Sequence, residues 1–221
     1  GRDPPGRQPC RRNDRLVAEQ WRRLHRRPAN PRPSAPGPRR RALQTARRAE
    51  QIDTQIANAR LLQLPSQSEP ISAAQLVSQA HAAYPYQTQR QRDCVTVQVH
   101  EDFIFNGSTT QFLQVLSNLI KNALHALMAA ESHFSPGELV LEVSRDRPHC
   151  GRITVADKGC GIDAALLPQI FKPFFSNNCN PGHGLGLAFC QQVVHSAGGS
   201  IQVKSQSSLG ATFTIALPLA H

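Results

Sequence analysis

Apolar residues at Ile52, Ile56, Ala59 and Leu62 or Leu64 recur at close to 3.6 positions, which predicts a helix over about residues 42–63. The Pro- and Ser-containing stretch 65–70 reads as a short linker. From residue 71 the pattern alternates between the two periods. A helix is expected through about Tyr84, then strands near 94–100 and 103–105, then a long amphipathic helix over about 108–130. Strands near 139–144 and 153–156 follow, the second a β-branched run. A helix over 185–197 ends at Gly198-Gly199 in what reads as a left-handed cap, and two consecutive strands near 200–204 and 211–217 close the chain. Strands alternating with helices but finishing as a pair predict an α+β, two-layer α/β sandwich rather than a doubly wound sheet. The roughly 150 residues from 70 to 221 are ample for one core.

Composition separates the first part of the chain from the rest. Residues 1–48 hold 15 arginines, eight prolines and three acids, a local charge of +12; the remainder carries 10 basic against 12 acidic side chains. The basic pI therefore belongs to the arm alone. Residues 1–41 read as a disordered Pro/Arg-rich arm, or as GC-rich coding DNA translated in the wrong frame, because Arg, Pro, Ala and Gly are the residues of GC-rich codons. Trp21 is its only aromatic, so specific nucleic-acid recognition is not expected. Six cysteines, at 10, 94, 150, 160, 179 and 190, show neither Cys-x-x-Cys pairs nor His at zinc spacing, which points to a reducing compartment, with Cys94 and Cys190 read as small buried apolar residues. No stretch approaches 18 apolar residues, and the expected location is cytoplasmic.

Candidate chemistry begins in the long helix. Asn118 and Asn122 stand four apart and so share a face, where side-chain carbonyl oxygens suit a hard cation such as Mg²⁺. Downstream, Ile153-Thr-Val-Ala-Asp157-Lys-Gly159-Cys-Gly161-Ile162 ends a predicted strand in an acid and two glycines. Such an Asp can accept a hydrogen bond from an exocyclic amine, and the glycines let a flat base approach. Next, Ile170-Phe171-Lys-Pro173-Phe174-Phe175 packs three aromatics into five residues of a chain only 5% aromatic, a cluster that by itself reads as core. Last, Gly182-His-Gly184-Leu185-Gly186 runs directly into a helical pattern, offering backbone N–H groups where the helix dipole favours phosphate. Neither the Gly-x-x-x-x-Gly-Lys phosphate loop nor a βαβ dinucleotide fingerprint is present. His81 and His195 read as structural.

In this order the four segments resemble the N, G1, F and G2 boxes of the ATP-binding catalytic domain of sensor histidine kinases, a branch of the group with DNA gyrase B, MutL and the heat-shock chaperone ATPase built on the Bergerat ATP-binding fold. The resemblance covers roughly residues 70 to 219, within a catalytic domain expected over 70–221. It implies Mg-ATP as ligand, with Asn122 on the metal and Asn118 lining the same metal and phosphate site. It further implies that Asp157 reads the adenine amine, that Gly159, Gly161 and Ile162 shape the base pocket, and that Phe171 and Phe174 anchor the ATP lid. Gly182, Gly184, Leu185 and Gly186 would cradle the phosphates, and His125 would contact them. The segment Asp102-Phe-Ile-Phe-Asn-Gly107, together with the last glycine-rich run, is similar to kinases that sense bacterial quorum signals.

The implied reaction is transfer of the γ-phosphoryl group to a histidine in two-component signalling, with a response-regulator receiver domain as partner and a homodimer as the intact assembly. Gyrase-like relatives carry a general-base Glu where Asn118 stands, and an amide cannot take a proton, so a GHKL-type ATPase is the weaker reading. The phosphoacceptor position is poorly matched: His25 has no neighbouring acid and lies among prolines, each costing about 3 kcal/mol inside a helix. The helix over 42–64 resembles the second half of a dimerisation hairpin whose first half is missing. A nucleotide-binding regulatory module or pseudokinase without its own acceptor is therefore the alternative. The lid segment 176–181 also lacks the basic residue often found there.

Overall fold

The computed structural model describes residues 68–147, 149–175 and 184–220. The basic arm with His25, the 42–64 helix, Gly182 and most of the lid between the third and fourth motifs lie outside the described residues.

The described chain runs β1 (Glu69–Ser72), α1 (Ala73–Ala83), α2 (Gln89–Asp93), β2 (Val95–Val99), β3 (Ile104–Gly107), α3 (Thr109–Ala129), β4 (Leu139–Arg147), β5 (Cys150–Asp157), a 3₁₀ turn (Leu167–Gln169), α4 (Gly186–Ser196), β6 (Ser200–Gln206) and β7 (Gly210–Pro218). Five strands form one sheet in the order β2-β4-β5-β7-β6, with only the β2–β4 pair parallel. Antiparallel sheets can bury one face and leave the other to solvent. The period-two signal of β5 obeys that rule: Ile153, Val155 and Asp157 are buried while Arg152, Thr154 and Ala156 are only partly so.

The helices cover that buried face. In α3 the buried positions Phe112, Val115, Leu116, Leu119, Ile120, Ala123, Leu124 and Leu127 repeat every three to four residues, so one stripe faces the sheet. Helix α4 adds Phe189, Cys190, Val193 and Val194, and α1 adds Leu76, Val77 and Ala80. Together with the inward residues of β4, β5 and β7 they make one core, so the expected two-layer α/β sandwich is the observed architecture.

Three elements depart from the sequence reading. The segment read as a linker running into a helix instead contains β1, which pairs antiparallel with β3 in a separate two-stranded sheet. A four-residue strand containing Pro70 carries no usable alternation, and it exists because β3 supplies its partner. Helix α2 is entirely polar, Gln-Arg-Gln-Arg-Asp, so it has no apolar period; the Thr88 hydroxyl caps it by accepting from the Gln91 backbone N–H at 3.2 Å. The 3₁₀ turn is too short to show any pattern.

Asp102 has a structural task. Its carboxylate accepts from the Ser72 hydroxyl at 2.7 Å and from the Ala74 and Phe103 backbone N–H groups at 2.9 and 2.8 Å, tying the β2–β3 connection to the start of α1. Ser72 in turn caps α1 by accepting from the Gln75 N–H at 3.2 Å.

Candidate functional site

Burial singles out the same residues as the motifs. Among the described residues the buried polar or charged side chains are Gln91, Asn118 and Asp157, and two of these three are candidate site residues. Gln91 is satisfied structurally: its side-chain oxygen accepts from the Gln87 N–H at 2.9 Å. The other two mark opposite ends of one surface of α3.

At the first end lies Asn118, 5% exposed on the side of α3 that meets α4. Its Oδ1 accepts a long hydrogen bond, 3.4 Å, from Gln114 Nε2 one turn earlier. Its Nδ2 is fully enclosed and finds no hydrogen-bond partner among the described residues. The first residue of α4 comes directly against this amide: a methyl group added at Gly186 would lie 3.6 Å from Asn118 Cγ and 3.7 Å from Oδ1. Leu185 stands at the N-cap position of α4 and makes no side-chain cap, so among the described residues that helix start is not capped by its own N-cap side chain. An amide oxygen and an uncapped helix N-terminus thus face one another, an arrangement suited to an anion with its counter-cation. Asn122 and His125 follow on α3, both half-buried.

Gly184 joins the third motif to the fourth. It has φ +69°, and its carbonyl accepts from the Phe174 N–H at 3.0 Å; a side chain there would run into the Phe175 backbone. The aromatic cluster splits. Ile170 is buried and Phe171 and Phe175 pack against the core, but Phe174 is 77% exposed with φ +66°. Phe171 therefore packs against the core, and the expectation that the Phe174 ring does the same is corrected. Its backbone conformation and its pairing with Gly184 turn the ring outward.

The second end is the turn after β5. Asp157 is the last residue of that strand, between Leu139 of β4 and Ala211 of β7. Its Oδ1 accepts from the Gly159 N–H at 2.8 Å. Burial pushes the carboxyl up to about 6, opposed by the N–H groups of Gly159 and Ala211. The turn is fastened to α3, because the Cys160 N–H donates to the Ala126 carbonyl at 3.1 Å, and Gly159 packs so closely that a Cβ there would lie 2.5 Å from the Ala126 carbonyl carbon. Gly161, with φ +67°, passes against the Gln206 carbonyl, where any side chain would collide. Ile162 is half-buried, and its N–H donates to Ser205 Oγ at 2.8 Å; that hydroxyl donates to the Gly210 carbonyl at 2.7 Å.

Ser205 and Gly210 were not anticipated from the sequence. The one available signal was the Ser-Ser-Leu-Gly turn ahead of a β-branched strand, which says nothing about where that turn sits. Ala126 and Asn118 are eight residues apart on α3, about 12 Å along its axis, so one helix spaces the acid-bearing turn from the uncapped helix terminus. Along α3, Asn118 thus meets Gly186 and Ala126 meets the Gly159–Cys160 turn, while Phe174 is turned away and Gly182 lies outside the described residues.

The histidines set aside from the sequence stay outside this constellation. His81 Nδ1 hydrogen-bonds Tyr86 Oη at 2.7 Å, and burial, aided by Arg92, holds its pKa below the usual value. His195 is exposed in the last turn of α4. Among the described residues Cys94, Cys150, Cys160 and Cys190 form no disulfide, and Cys94 and Cys190 are buried as expected. No helix among the described residues is long and apolar enough to cross a membrane.

Comparison with known proteins bears on this geometry. Residues 107–221 match the family described as histidine kinase-, DNA gyrase B-, and HSP90-like ATPase. The chain is 31% identical over 154 residues to the CAI-1 autoinducer sensor kinase/phosphatase CqsS of Vibrio cholerae, covering 70% of this chain and 21% of that protein. It is 35% identical over 132 residues to the signal transduction histidine-protein kinase AtoS of Escherichia coli, covering 56% and 21%. The chain thus spans about a fifth of the length of these relatives. Among solved structures, the mycobacterial sensor histidine kinase MprB superposes with a TM-score of 0.56 at 23% identity, covering 69% of this chain and 98% of that one. The catalytic domain of histidine kinase ThkA gives the same values. At that identity the likeness shows the fold.

Proposed function

The chain belongs to the family of histidine kinase-, DNA gyrase B- and HSP90-like ATPases, and from that premise we propose that residues 70–221 are the catalytic domain of a sensor histidine kinase, which holds Mg-ATP and delivers its γ-phosphoryl group to a histidine. The observation that carries this reading is the meeting of the Asn118 amide with the uncapped N-terminus of α4, on the helix whose other end is fastened to the Asp157 turn.

Each end has a distinct task. Ionised Asp157 accepts from the exocyclic amine of adenine, while the turn through Gly159 and Gly161 brings backbone rather than side chains against the base. Toward the other end, the first N–H groups of α4 donate to phosphate oxygens in the positive field of the helix terminus. His125, three residues beyond Asn122, adds a donor on the same side of α3.

The donor set fits Mg²⁺. Asn118 and Asn122 carry hard, neutral carbonyl oxygens, and no group of three or more His, Cys, Asp or Glu that could hold a metal occurs among the described residues, so the rest of the ion's shell would be phosphate oxygen and water. When bound, the ion would neutralise charge on the transferring phosphoryl group. Phosphoryl transfer needs mainly positioning, so a site with few dedicated catalytic side chains is chemically sufficient. Asn118 cannot act as a base on water, which favours transfer to a protein acceptor over hydrolysis.

The acceptor histidine, the receiver domain and the homodimer belong to the same proposal, and CqsS and AtoS, both named as kinases, support it. The test is incubation with γ-labelled ATP and Mg²⁺, alone and with an added dimerisation domain bearing an acceptor histidine. Acid-labile, base-stable label on the added domain is the expected result. ATP binding without label on either protein would replace this reading with a nucleotide-binding module lacking kinase activity.

A further inference from the structure

We propose that Ser205 is a positioning residue for base recognition: its hydroxyl, near the end of β6, joins Ile162 at the exit of the Asp157 turn to Gly210 at the start of β7, and so holds that turn where Asp157 meets the exocyclic amine. The inference rests on the nucleotide-binding reading above and assigns the β6–β7 connection a part in it.

The place of Ser205 in its strand is unusual. Side chains alternate between the faces of a strand, so Ile201, Val203 and Ser205 of β6 share one side. Ile201 is buried and Val203 packs against the core, so a hydroxyl stands where an apolar side chain would continue the pattern. That hydroxyl is used twice. It accepts from the Ile162 N–H at 2.8 Å, across 43 positions of sequence, and donates to the Gly210 carbonyl at 2.7 Å. An alanine could do neither.

The two partners lie at the two ends of the Asp157 turn. Ile162 leaves it. Gly210 lies against its entry, where a Cβ on Gly210 would come within 1.9 Å of the Asp157 carbonyl oxygen, so the two backbones are in close contact. The middle of the turn is held by backbone groups that a substitution at Ser205 does not remove: the Cys160 N–H donates to the Ala126 carbonyl at 3.1 Å, and the Ser208 N–H to the Cys160 carbonyl at 2.8 Å. Losing the hydroxyl therefore frees the exit of the turn and leaves the fold standing. The Gly159 N–H, which meets Asp157 Oδ1 at 2.8 Å, is only three residues before that exit. Gly159 and Gly161 lie between, and their backbones resist little, so a loosened exit is passed on to the acceptor that reads the base.

The full chain is titrated in the presence of Mg²⁺ with ATP and with purine riboside triphosphate, which carries hydrogen in place of the exocyclic amine. Wild type, Ser205→Ala and Ser205→Thr are compared, and melting curves are recorded without nucleotide. Wild type is expected to prefer ATP about tenfold, the scale of one hydrogen bond to a charged group. Ser205→Ala should reduce that preference to about twofold or less, by weaker ATP binding, while its affinity for the analogue stays within about twofold of wild type. Ser205→Thr keeps the hydroxyl on a residue suited to a strand and should retain the wild-type preference. A purely structural role predicts instead that both nucleotides weaken together, in step with melting temperature. An unchanged preference in Ser205→Ala, an equal weakening of both nucleotides, or a threonine variant as indiscriminate as the alanine one overturns the inference. Should the alanine variant not fold, hydrogen exchange of the wild-type Ile162 amide decides: ATP must slow it more than the analogue does, and equal protection by the two also overturns it. Wild type that binds neither nucleotide would remove the nucleotide reading, and wild type that binds both equally would remove Asp157 as reader of the amine; each failure is visible before any variant is made.

Discussion

The Cα of Gly186 faces the Asn118 carboxamide across the α3–α4 contact, with room between them for one methyl group in ordinary van der Waals contact, 3.6 Å from Cγ and 3.7 Å from Oδ1. That space is large enough to fill and lies where the phosphates are proposed to sit. Gly186→Ala should therefore fold, with melting unchanged or raised, since Ala is favoured over Gly in a helix by about 1 kcal/mol. Its ATP affinity should nevertheless fall by about tenfold, near 1.4 kcal/mol. Calorimetric melting and ATP titration on one preparation check both halves. Unaltered affinity would mean that the phosphates bypass this cradle.

Asp157 gives the domain two opposite responses to acid. Because burial raises its carboxyl to about 6, above the usual value, the folded state resists the charged form. For this group stability is lower above pH 6 and rises as pH falls from 6 toward the unfolded value near 4, where the gain is complete. Reading the adenine amine needs the charged acceptor, so ATP affinity should fall over the same window while the apo domain gains stability. Asp157→Asn should abolish both trends. Affinity independent of pH between 7 and 5 in the wild type would sink the assignment of Asp157 to the base.

The Asp157 turn also predicts where a small substitution is costly. Gly161 has φ +67° and presses against the Gln206 carbonyl, so Gly161→Ala combines backbone strain with a steric collision. The variant should lose at least about 2 kcal/mol of unfolding free energy, measured by denaturant titration. A loss below about 0.5 kcal/mol, the scale of ordinary surface substitutions, would show that the β6–β7 turn yields and is not pinned to this loop.

Two phenylalanines three residues apart should behave oppositely. Phe171 packs against the core, so Phe171→Ala should cost about 1–3 kcal/mol. Phe174 is exposed and held at φ +66°, where an L side chain is strained, so Phe174→Gly should be neutral or stabilise by up to about 1 kcal/mol. Thermal melts of the two variants distinguish them. Marked destabilisation by Phe174→Gly would reinstate Phe174 as an anchor.

Asn122→Ala should remove most of the Mg²⁺-dependent part of ATP binding and leave the fold intact, because the side chain is only half-buried. Isothermal titration with and without Mg²⁺ reads this directly. The same affinity with Mg²⁺ as in wild type would exclude Asn122 as a ligand.

The sequence by itself determined the local elements and the identities of the candidate site residues. Period-3.6 stripes specify α3 and α4, period-two runs specify β5 and β7, and the order of strands and helices specifies the two-layer arrangement, because each of these signals is contained within one segment. The acids, amides and glycines of the candidate site stand in the same segments and were legible with them. Segments without an apolar period stayed hidden. β1 needs β3 as its partner, and α2 is capped and entirely polar. Tertiary structure alone decided that the Asn118 amide meets Gly186, that Asp157 is buried enough for its carboxyl to be pushed up to about 6, and that Phe174 faces outward while Phe171 packs. The physical reason is that orientation and burial are set by contacts between residues far apart in the chain, about which hydrophobic periodicity carries no information.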